Sequence, residues 1–166
     1  MFFDKMLVIK KVRFVIMIVS FCGHSSFFNG DLYTRKVLDI FEQKIGDRQV
    51  EFYLGEYGAF DRFARVCAKE YKKKHPRASL VFVMPYLSGY SKERMEYINQ
   101  DFDFTIYPEI ENAIPKFAIT YRNRWMMERA DLVIAYVNRK YGGAYASYKH
   151  AKRKGKEIIN LADFNE

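Results

Sequence analysis

The stretch FVIMIVSFCGHSS, residues 14–26, decides the fold: an apolar run leads directly into a glycine and small polar residues. Residues 132–145 repeat the pattern, with an apolar run that leads to Gly142 and Gly143. Continuous apolar runs are typical of parallel strands covered on both faces. Loops at the carboxyl ends of such strands surround the ligand crevice, and glycine lets backbone approach a phosphate closely. The pattern predicts an α/β domain that binds a phosphate or a nucleotide.

Apolar runs and amphipathic segments alternate along the chain. Strands are predicted at residues 12–21, 50–54, 80–84, 104–107, 132–137 and 157–161, and helices at 31–44, 59–73, 91–99, 115–128 and 145–154. Right-handed crossovers then predict a single three-layer Rossmann-like domain over residues 1–166, with a mainly parallel sheet flanked by helices. The least regular stretch, residues 85–114, is interpreted as a loop or lid over the site.

Composition narrows the class of protein. Of 166 residues, 49% are hydrophobic and 17% aromatic, which excludes a mainly disordered chain. No segment approaches the roughly 20 apolar residues of a membrane span, so no membrane partner is expected. Lys10, Lys11 and Arg13 interrupt the N-terminal apolar stretch, unlike a signal peptide. With only Cys22 and Cys67 as cysteines, the expected location is cytoplasmic.

The chain is basic, with a formal net charge of +8. From residue 116 onward it has 11 lysines and arginines against 5 aspartates and glutamates. This excess favours an anionic partner, but a solvated basic face over residues 149–156 explains it equally well. The three histidines are too scattered to predict a metal site. The only cofactor expected is a nucleotide or a nucleotide-derived ligand.

Three loops supply the candidate ligand contacts. These are Gly23, His24, Ser25, Gly55, Glu56, Tyr57, Gly58, Asp61, Gly142, Gly143, Ala144 and Tyr145. The glycines suit a phosphate cradle, but a tight turn needs glycine too, and His24 could merely cap or pack. Asp61 falls in a first helical turn, where the helix dipole favours an acid in any case. No catalytic residue is assigned.

Two pairs of side chains are further candidates for a functional role. Arg122 and Arg124 project from nearly opposite faces of one helix, so only Arg122, which leans toward the ligand edge, is a candidate phosphate contact. Cys22 beside His24 has the spacing of a nucleophile and a base, but a cysteine at a strand end is usually a small buried apolar residue. Arg122 completes the candidate set.

The motifs together resemble the YpsA-like branch of the SLOG superfamily, the Rossmann-like domain also found in DprA and in the LOG phosphoribohydrolases. The resemblance is carried by Gly23-His24, by LGEYGAFD at residues 54–61, by RNRWM at 122–126, and by YGGA at 141–144 with KRKGK at 152–156. It implies a nucleotide or nucleotide-derived ligand at the strand carboxyl ends. The family's second loop more usually begins Gly-Gly, whereas this chain has Gly55-Glu56. Glu56 therefore either points away or contacts a ribose hydroxyl.

Three functions follow from this resemblance and from the residues. The first is a nucleotide-binding module with a sensing or regulatory role. The second is a LOG-like phosphoribohydrolase, although residues 142–156 contain no acid and Glu56 or Asp61 would have to supply one. The third is DprA-like nucleic-acid binding, for which the basic residues cluster on one short helix instead of tracing a groove. The sequence does not decide whether the protein forms a homo-oligomer.

Overall fold

The computed structural model describes residues 15–28, 30–110 and 112–164. Its centre is a six-stranded sheet in the order β4-β3-β2-β1-β5-β6, in which every neighbouring pair is parallel. The strands are β1 Met17–Gly23, β2 Val50–Leu54, β3 Ala78–Val83, β4 Phe104–Ile106, β5 Leu132–Tyr136 and β6 Glu157–Asn160. The chain runs outward from β1 to β4 and then returns to the other side of β1. This places the topological switch point between β1 and β5.

Among the described residues, five α-helices cover the sheet: α1 Gly30–Lys44, α2 Gly58–Lys74, α3 Lys92–Asp101, α4 Ala118–Arg129 and α5 Gly142–Arg153. Successive residues of a strand point to opposite faces, so the core is divided in two. Val19 and Phe21 of β1 pack with α1, α2 and α3, whereas Cys22 packs with α4 and α5. Each helix turns one apolar stripe toward the sheet, which gives the three-layer α/β fold.

All six strands and five helices confirm the elements that the sequence predicts, and the fold is α/β and Rossmann-like as expected. Residues 12–14 of the predicted first strand lie outside the described residues. One boundary differs in a way that matters: α5 begins at Gly142, not at Tyr145. Gly142 and Gly143 therefore belong to the first turn of the helix and not to a preceding loop.

The stretch 85–114 does not form the loop or lid over the site that its low regularity suggests. It contains α3 and β4, and Ile98 and Phe102 are buried in the core beside α1 and α2. Ser91 caps α3, since its hydroxyl accepts a hydrogen bond from Arg94 N at 3.1 Å. Within the described part of the chain, no helix is long and apolar enough to cross a membrane.

Candidate functional site

A cavity of about 190 Å³ lies at the switch point, at the carboxyl edge of the sheet. The loops after β1, β2 and β5 and one side of α4 line it. Its lining includes ten of the candidate residues: Gly23, His24, Ser25, Gly55, Tyr57, Asp61, Arg122, Gly142, Gly143 and Ala144. The glycine motifs after β1 and β5 lie side by side, since Gly23 is the register partner of Tyr136 at the end of β5, and Gly23, Gly142 and Gly143 line the same cavity. No described residue of the stretch 85–114 lines the cavity.

Two of the candidate glycines are required by close packing between the loop after β1 and the start of α2. A Cβ on Gly23 would lie 2.2 Å from Cγ of Phe60 in α2. Gly58 has a positive φ of 87°, and a Cβ there would lie 2.8 Å from Cα of Ser25. Beside this contact, Ala59 N donates to Ser25 O at 3.1 Å. These glycines therefore hold the loop after β1 against the start of α2.

His24 is buried and links two loops. Its side-chain Nε2 accepts a hydrogen bond from Asn138 N at 3.3 Å, and its backbone N–H donates to Tyr136 O at 3.3 Å. Burial lowers the pKa of His24, and the charge of Arg139 lowers it further. A neutral imidazole fits the acceptor role of Nε2. His24 thus helps to shape the cavity but adds no positive charge to it.

The N-terminus of α5 opens into the cavity without a side-chain cap. Tyr141 precedes the helix with no capping hydrogen bond, and the first turn contains no acidic residue. Gly142, Gly143 and Ala144 present the first backbone N–H groups, which have no partner inside the helix. Unpaired N–H groups and the positive end of the helix dipole make such a terminus a site for an anion.

Arg139 lines the site but is not among the residues that the sequence predicts. It lines the cavity beside the N-terminus of α5, and its guanidinium lies 5.0 Å from the centre of the Tyr141 ring. Among the described residues its buried Nε finds no hydrogen-bond partner. An arginine three residues before Gly142, in a loop at the ligand edge, was a usable signal. Asn123, Met126 and Ser147 also line the cavity and were not predicted.

Arg122 is buried, with 1% of its surface exposed, and is held by the protein itself. One of its terminal nitrogens, Nη1, donates to Gly55 O at 3.0 Å and to Val83 O at 2.6 Å, and Nε donates to Asn123 Oδ1 at 2.9 Å. Arg124 is exposed on another face of α4, as the helical spacing predicts. Arg122 therefore connects α4 to the ends of β2 and β3, and its contact with a ligand stays a prediction.

Glu56, Gly58 and Tyr145 do not line the cavity. Glu56 points away from it: its carboxylate pairs with Arg65 Nε at 2.8 Å, and only 4% of its side chain is exposed. Burial raises the pKa of Glu56, which Arg65 opposes. Tyr145 packs among α4, α5 and the sheet, with Lys149 Nζ 4.8 Å from its ring centre. Of the two alternatives for Glu56, the first is therefore the one found.

Two ionisable groups near the cavity have strongly raised pKa values. Burial raises the pKa of the Cys22 thiol to about 12, with a smaller contribution from the charge of Asp61. A thiol that stays protonated is a poor nucleophile. Burial also raises the pKa of Asp61 to about 6, although a hydrogen bond from Tyr57 N and the charge of Arg122 oppose this. In the part of the chain that the structure describes, no cluster of acidic, histidine or cysteine side chains could hold a metal ion.

No family model and no curated protein matches this chain, but solved structures do. DNA processing protein A (DprA) from Streptococcus pneumoniae matches with a TM-score of 0.61 and 17% identity, over 86% of this chain and 49% of that one. DprA from Helicobacter pylori, which binds single-stranded DNA, matches with a TM-score of 0.57 and 16% identity, over 86% of this chain and 63% of that one. The structural genomics target TM1055 matches with a TM-score of 0.54 and 12% identity, over 86% of this chain and 72% of that one.

This chain therefore spans about half the length of the pneumococcal protein that it matches. At such low identity the likeness concerns the fold alone. It shows a Rossmann-like α/β fold shared with DprA and with TM1055.

Proposed function

We propose that this chain is a single-domain, cytoplasmic, YpsA-like member of the SLOG superfamily. It binds a nucleotide or nucleotide derivative in the cavity and senses or regulates through it. The observation that carries the proposal is the pairing of the uncapped N-terminus of α5 with Arg139, whose buried Nε lacks a protein partner among the described residues. Two buried free thiols, Cys22 and Cys67, fit a reducing compartment.

The phosphate of such a ligand would occupy the end of the cavity formed by Gly142, Gly143 and Arg139. Backbone N–H groups at a helix N-terminus bind an anion through hydrogen bonds and the helix dipole together. A guanidinium adds a charge-assisted hydrogen bond, which is about twice as strong as a neutral one. Neighbouring His24 is neutral and adds no charge, so Arg139 is the cationic side chain at this end.

Binding without hydrolysis is the better supported activity. The Cys22 thiol is protonated, and Glu56 is engaged by Arg65 outside the cavity. Asp61 is the one acid among the described residues that line the cavity. A LOG-like phosphoribohydrolase would therefore depend on Asp61 as its acid or base. Release of free base from a panel of nucleoside monophosphates, abolished by Asp61→Asn, would establish that activity.

The test of nucleotide binding compares two neighbouring cations. Arg139→Gln removes the cationic contact, whereas Lys140→Gln removes the same charge from an exposed residue outside the cavity lining. We expect Arg139→Gln to weaken the binding of AMP or ADP in titration calorimetry by about tenfold to hundredfold, the value of a charged hydrogen bond. Lys140→Gln should change it less than twofold. Equal losses in both variants, or no binding by the wild type, would contradict the proposal.

A second candidate function, nucleic-acid binding, has its own observation. Arg124, Lys149, Lys152 and Arg153 line a groove of about 420 Å³ between α4 and α5, away from the cavity. Lys149 and Lys152 lie over the rings of Tyr145 and Tyr148, at 4.8 and 5.9 Å from their centres. Because lysines cover these rings, the groove favours contacts with phosphates over base stacking. Such binding would be independent of sequence and sensitive to salt.

Charge reversal tests this candidate. We expect Lys149→Glu with Lys152→Glu to abolish binding of a labelled 20-nucleotide oligo(dT) in fluorescence anisotropy. Each lysine that contacts a phosphate of this single strand should account for about 0.7 of the slope of log K against log salt concentration. The control reverses two exposed cations on the opposite helix layer, Arg35→Glu with Lys74→Glu. A similar loss in the control would mean that net charge, and not this groove, governs binding.

A further inference from the structure

The cavity is lined from both sides of β1, and the two sides offer different groups. On the β5 side, the N-terminus of α5 and Arg139 favour an anion. On the β2 side, Asp61 in the first turn of α2 contributes a carboxyl group to the same lining. A carboxylate repels a phosphate placed against it, so a site for phosphate alone gains nothing from Asp61. The whole cavity therefore fits a ligand with an anionic group at one end and hydrogen-bond donors at the other.

The protein uses only part of the hydrogen-bonding capacity of Asp61. Its Oδ2 accepts from Tyr57 N at 2.6 Å. Asp61 forms no ion pair with any lysine, arginine or histidine that the structure describes. Arg122 is near enough to act on it electrostatically but donates to Gly55 O and Val83 O. By contrast, the carboxylate of Asp101 is held by both Arg65 and Lys69. Acceptor capacity thus remains on Asp61 for a ligand.

A hydroxyl group is the natural partner for this carboxyl group. A carboxylate accepts a short, charge-assisted hydrogen bond from a hydroxyl. A protonated carboxyl group can instead donate to the hydroxyl oxygen, so the contact survives in both protonation states. The dianion of a phosphate monoester has only acceptor oxygens, so the phosphate group of a nucleotide cannot itself donate to this carboxylate. Sugar hydroxyls are the donors nearest to the phosphate in a nucleotide.

Strand spacing makes this arrangement sterically reasonable. β2, which leads to Asp61, and β5, which leads to Gly142, lie on either side of β1. Neighbouring strands are about 4.8 Å apart, so the two loops start roughly 10 Å from each other. One hydrogen bond of about 3 Å at each end leaves a gap of a few ångströms. A single pentose ring spans such a gap.

We propose that Asp61 binds a hydroxyl group of the ligand sugar, so that the cavity selects sugar phosphates, the ribose phosphate part of a nucleotide, over bare phosphate. This inference rests on the proposed function, since the phosphate end is the α5 site. The inference adds that Asp61 selects ligands that carry a sugar hydroxyl beside the phosphate. Asp61 discriminates by two effects: it attracts the hydroxyl and it repels a second anion.

The experiment measures the affinities of ribose 5-phosphate and inorganic phosphate by titration calorimetry. In the wild-type protein we expect ribose 5-phosphate to bind about tenfold more tightly, the value of one charged hydrogen bond. In Asp61→Ala this preference should disappear, while inorganic phosphate binds as tightly as before or more tightly. Asp61→Asn, which keeps an acceptor for Tyr57 N, should shift both affinities in the same directions by less. Asp31→Ala, which removes the first-turn acid of α1, is the matched control and should retain the preference.

The outcomes separate this inference from the proposed function. Loss of the preference with phosphate binding retained supports the role of Asp61, because a merely structural defect would weaken both ligands together. If the wild type binds both ligands equally, or if both Asp61 variants keep the tenfold preference, the inference is wrong and the phosphate site stands. If the wild type binds neither ligand, the phosphate site itself is wrong.

Discussion

Gly142 and Gly143 are adjacent, but only one of them is required by the fold. Gly142 has a positive φ of 88°, a conformation that residues with a Cβ rarely adopt. Gly143 has no such φ, and a Cβ there would meet no atom within 4 Å. The protein alone therefore gives no reason for glycine at residue 143. Close approach of a ligand to its backbone provides one.

Substitution by alanine should therefore have opposite effects at the two positions. Gly143→Ala should raise the free energy of unfolding by about 0.4–1 kcal/mol, because it restricts the unfolded chain at a position compatible with alanine. Gly142→Ala should lower it by about 1 kcal/mol or more, because alanine is strained there. Urea unfolding of both variants measures this. Destabilisation by Gly143→Ala would show that residue 143 needs glycine for folding.

Asp61 should make stability depend on pH in a defined window. Its pKa in the folded protein is about 6, against an ordinary value of 3.8, so folding favours the protonated form. Its contribution to stability is complete below about pH 4 and is lost as the pH rises through 6. Asp61→Asn should therefore be more stable than the wild type at pH 7.5, by about 3 kcal/mol, and nearly equally stable at pH 4. Urea unfolding at both pH values tests this, and a difference independent of pH would contradict it.

Among the secondary-structure elements, α4 has a structural role through Arg122. Its guanidinium bonds the carbonyl groups of Gly55, after β2, and Val83, at the end of β3. A Cβ on Gly55 would lie 3.0 Å from that guanidinium, so the glycine makes room for it. One side chain from α4 thus fixes the ends of two strands that line or adjoin the cavity.

Removing the side chain of Arg122 should destabilise the fold itself, in addition to any effect on ligand binding. Arg122→Ala leaves two buried carbonyl groups without a donor, each costing about 1–3 kcal/mol, so we expect a loss of about 2–5 kcal/mol in the free energy of unfolding. Arg124→Ala, two residues along the same helix and exposed, should change it by less than about 0.5 kcal/mol. Chemical denaturation of the two variants gives the comparison. If Arg122→Ala changes the free energy of unfolding only slightly, Arg122 is not needed for folding and its expected role is contact with the ligand alone.

For the whole molecule, the cavity joins loops from both sides of the switch point, so ligand binding should stabilise the entire fold. At a ligand concentration 100 times the dissociation constant, the gain is about 2.7 kcal/mol. For a chain of this size that raises the melting temperature by about 5–10 °C. At the same nucleotide concentration, Arg139→Gln should show a smaller shift and Lys140→Gln the full one. Thermal shift measurements over a nucleotide series test this, and identical shifts in the three proteins would contradict the cavity as the site.

The sequence by itself determined the elements and their order, because the signals are local. The alternation of apolar runs with amphipathic stripes predicted six strands and five helices, and residues 50–54 are a strand with the predicted bounds. The general rules of parallel sheets then predicted that Gly23 and Gly142 meet at one edge. Helical spacing also separated Arg122 from Arg124 correctly. None of these predictions needs knowledge of a contact between distant side chains.

The tertiary structure alone decided where the side chains of the site point. Glu56 faces Arg65 and not the cavity. Arg122 donates its hydrogen bonds to backbone carbonyl groups. The buried Nε of Arg139 has no protein partner among the described residues. Each result depends on groups that packing brings together from separate parts of the chain. The start of α5 at Gly142 was equally hidden, since glycine signals a loop as readily as a first helical turn. Local pattern sets the backbone path, but long-range packing selects among the directions open to a side chain.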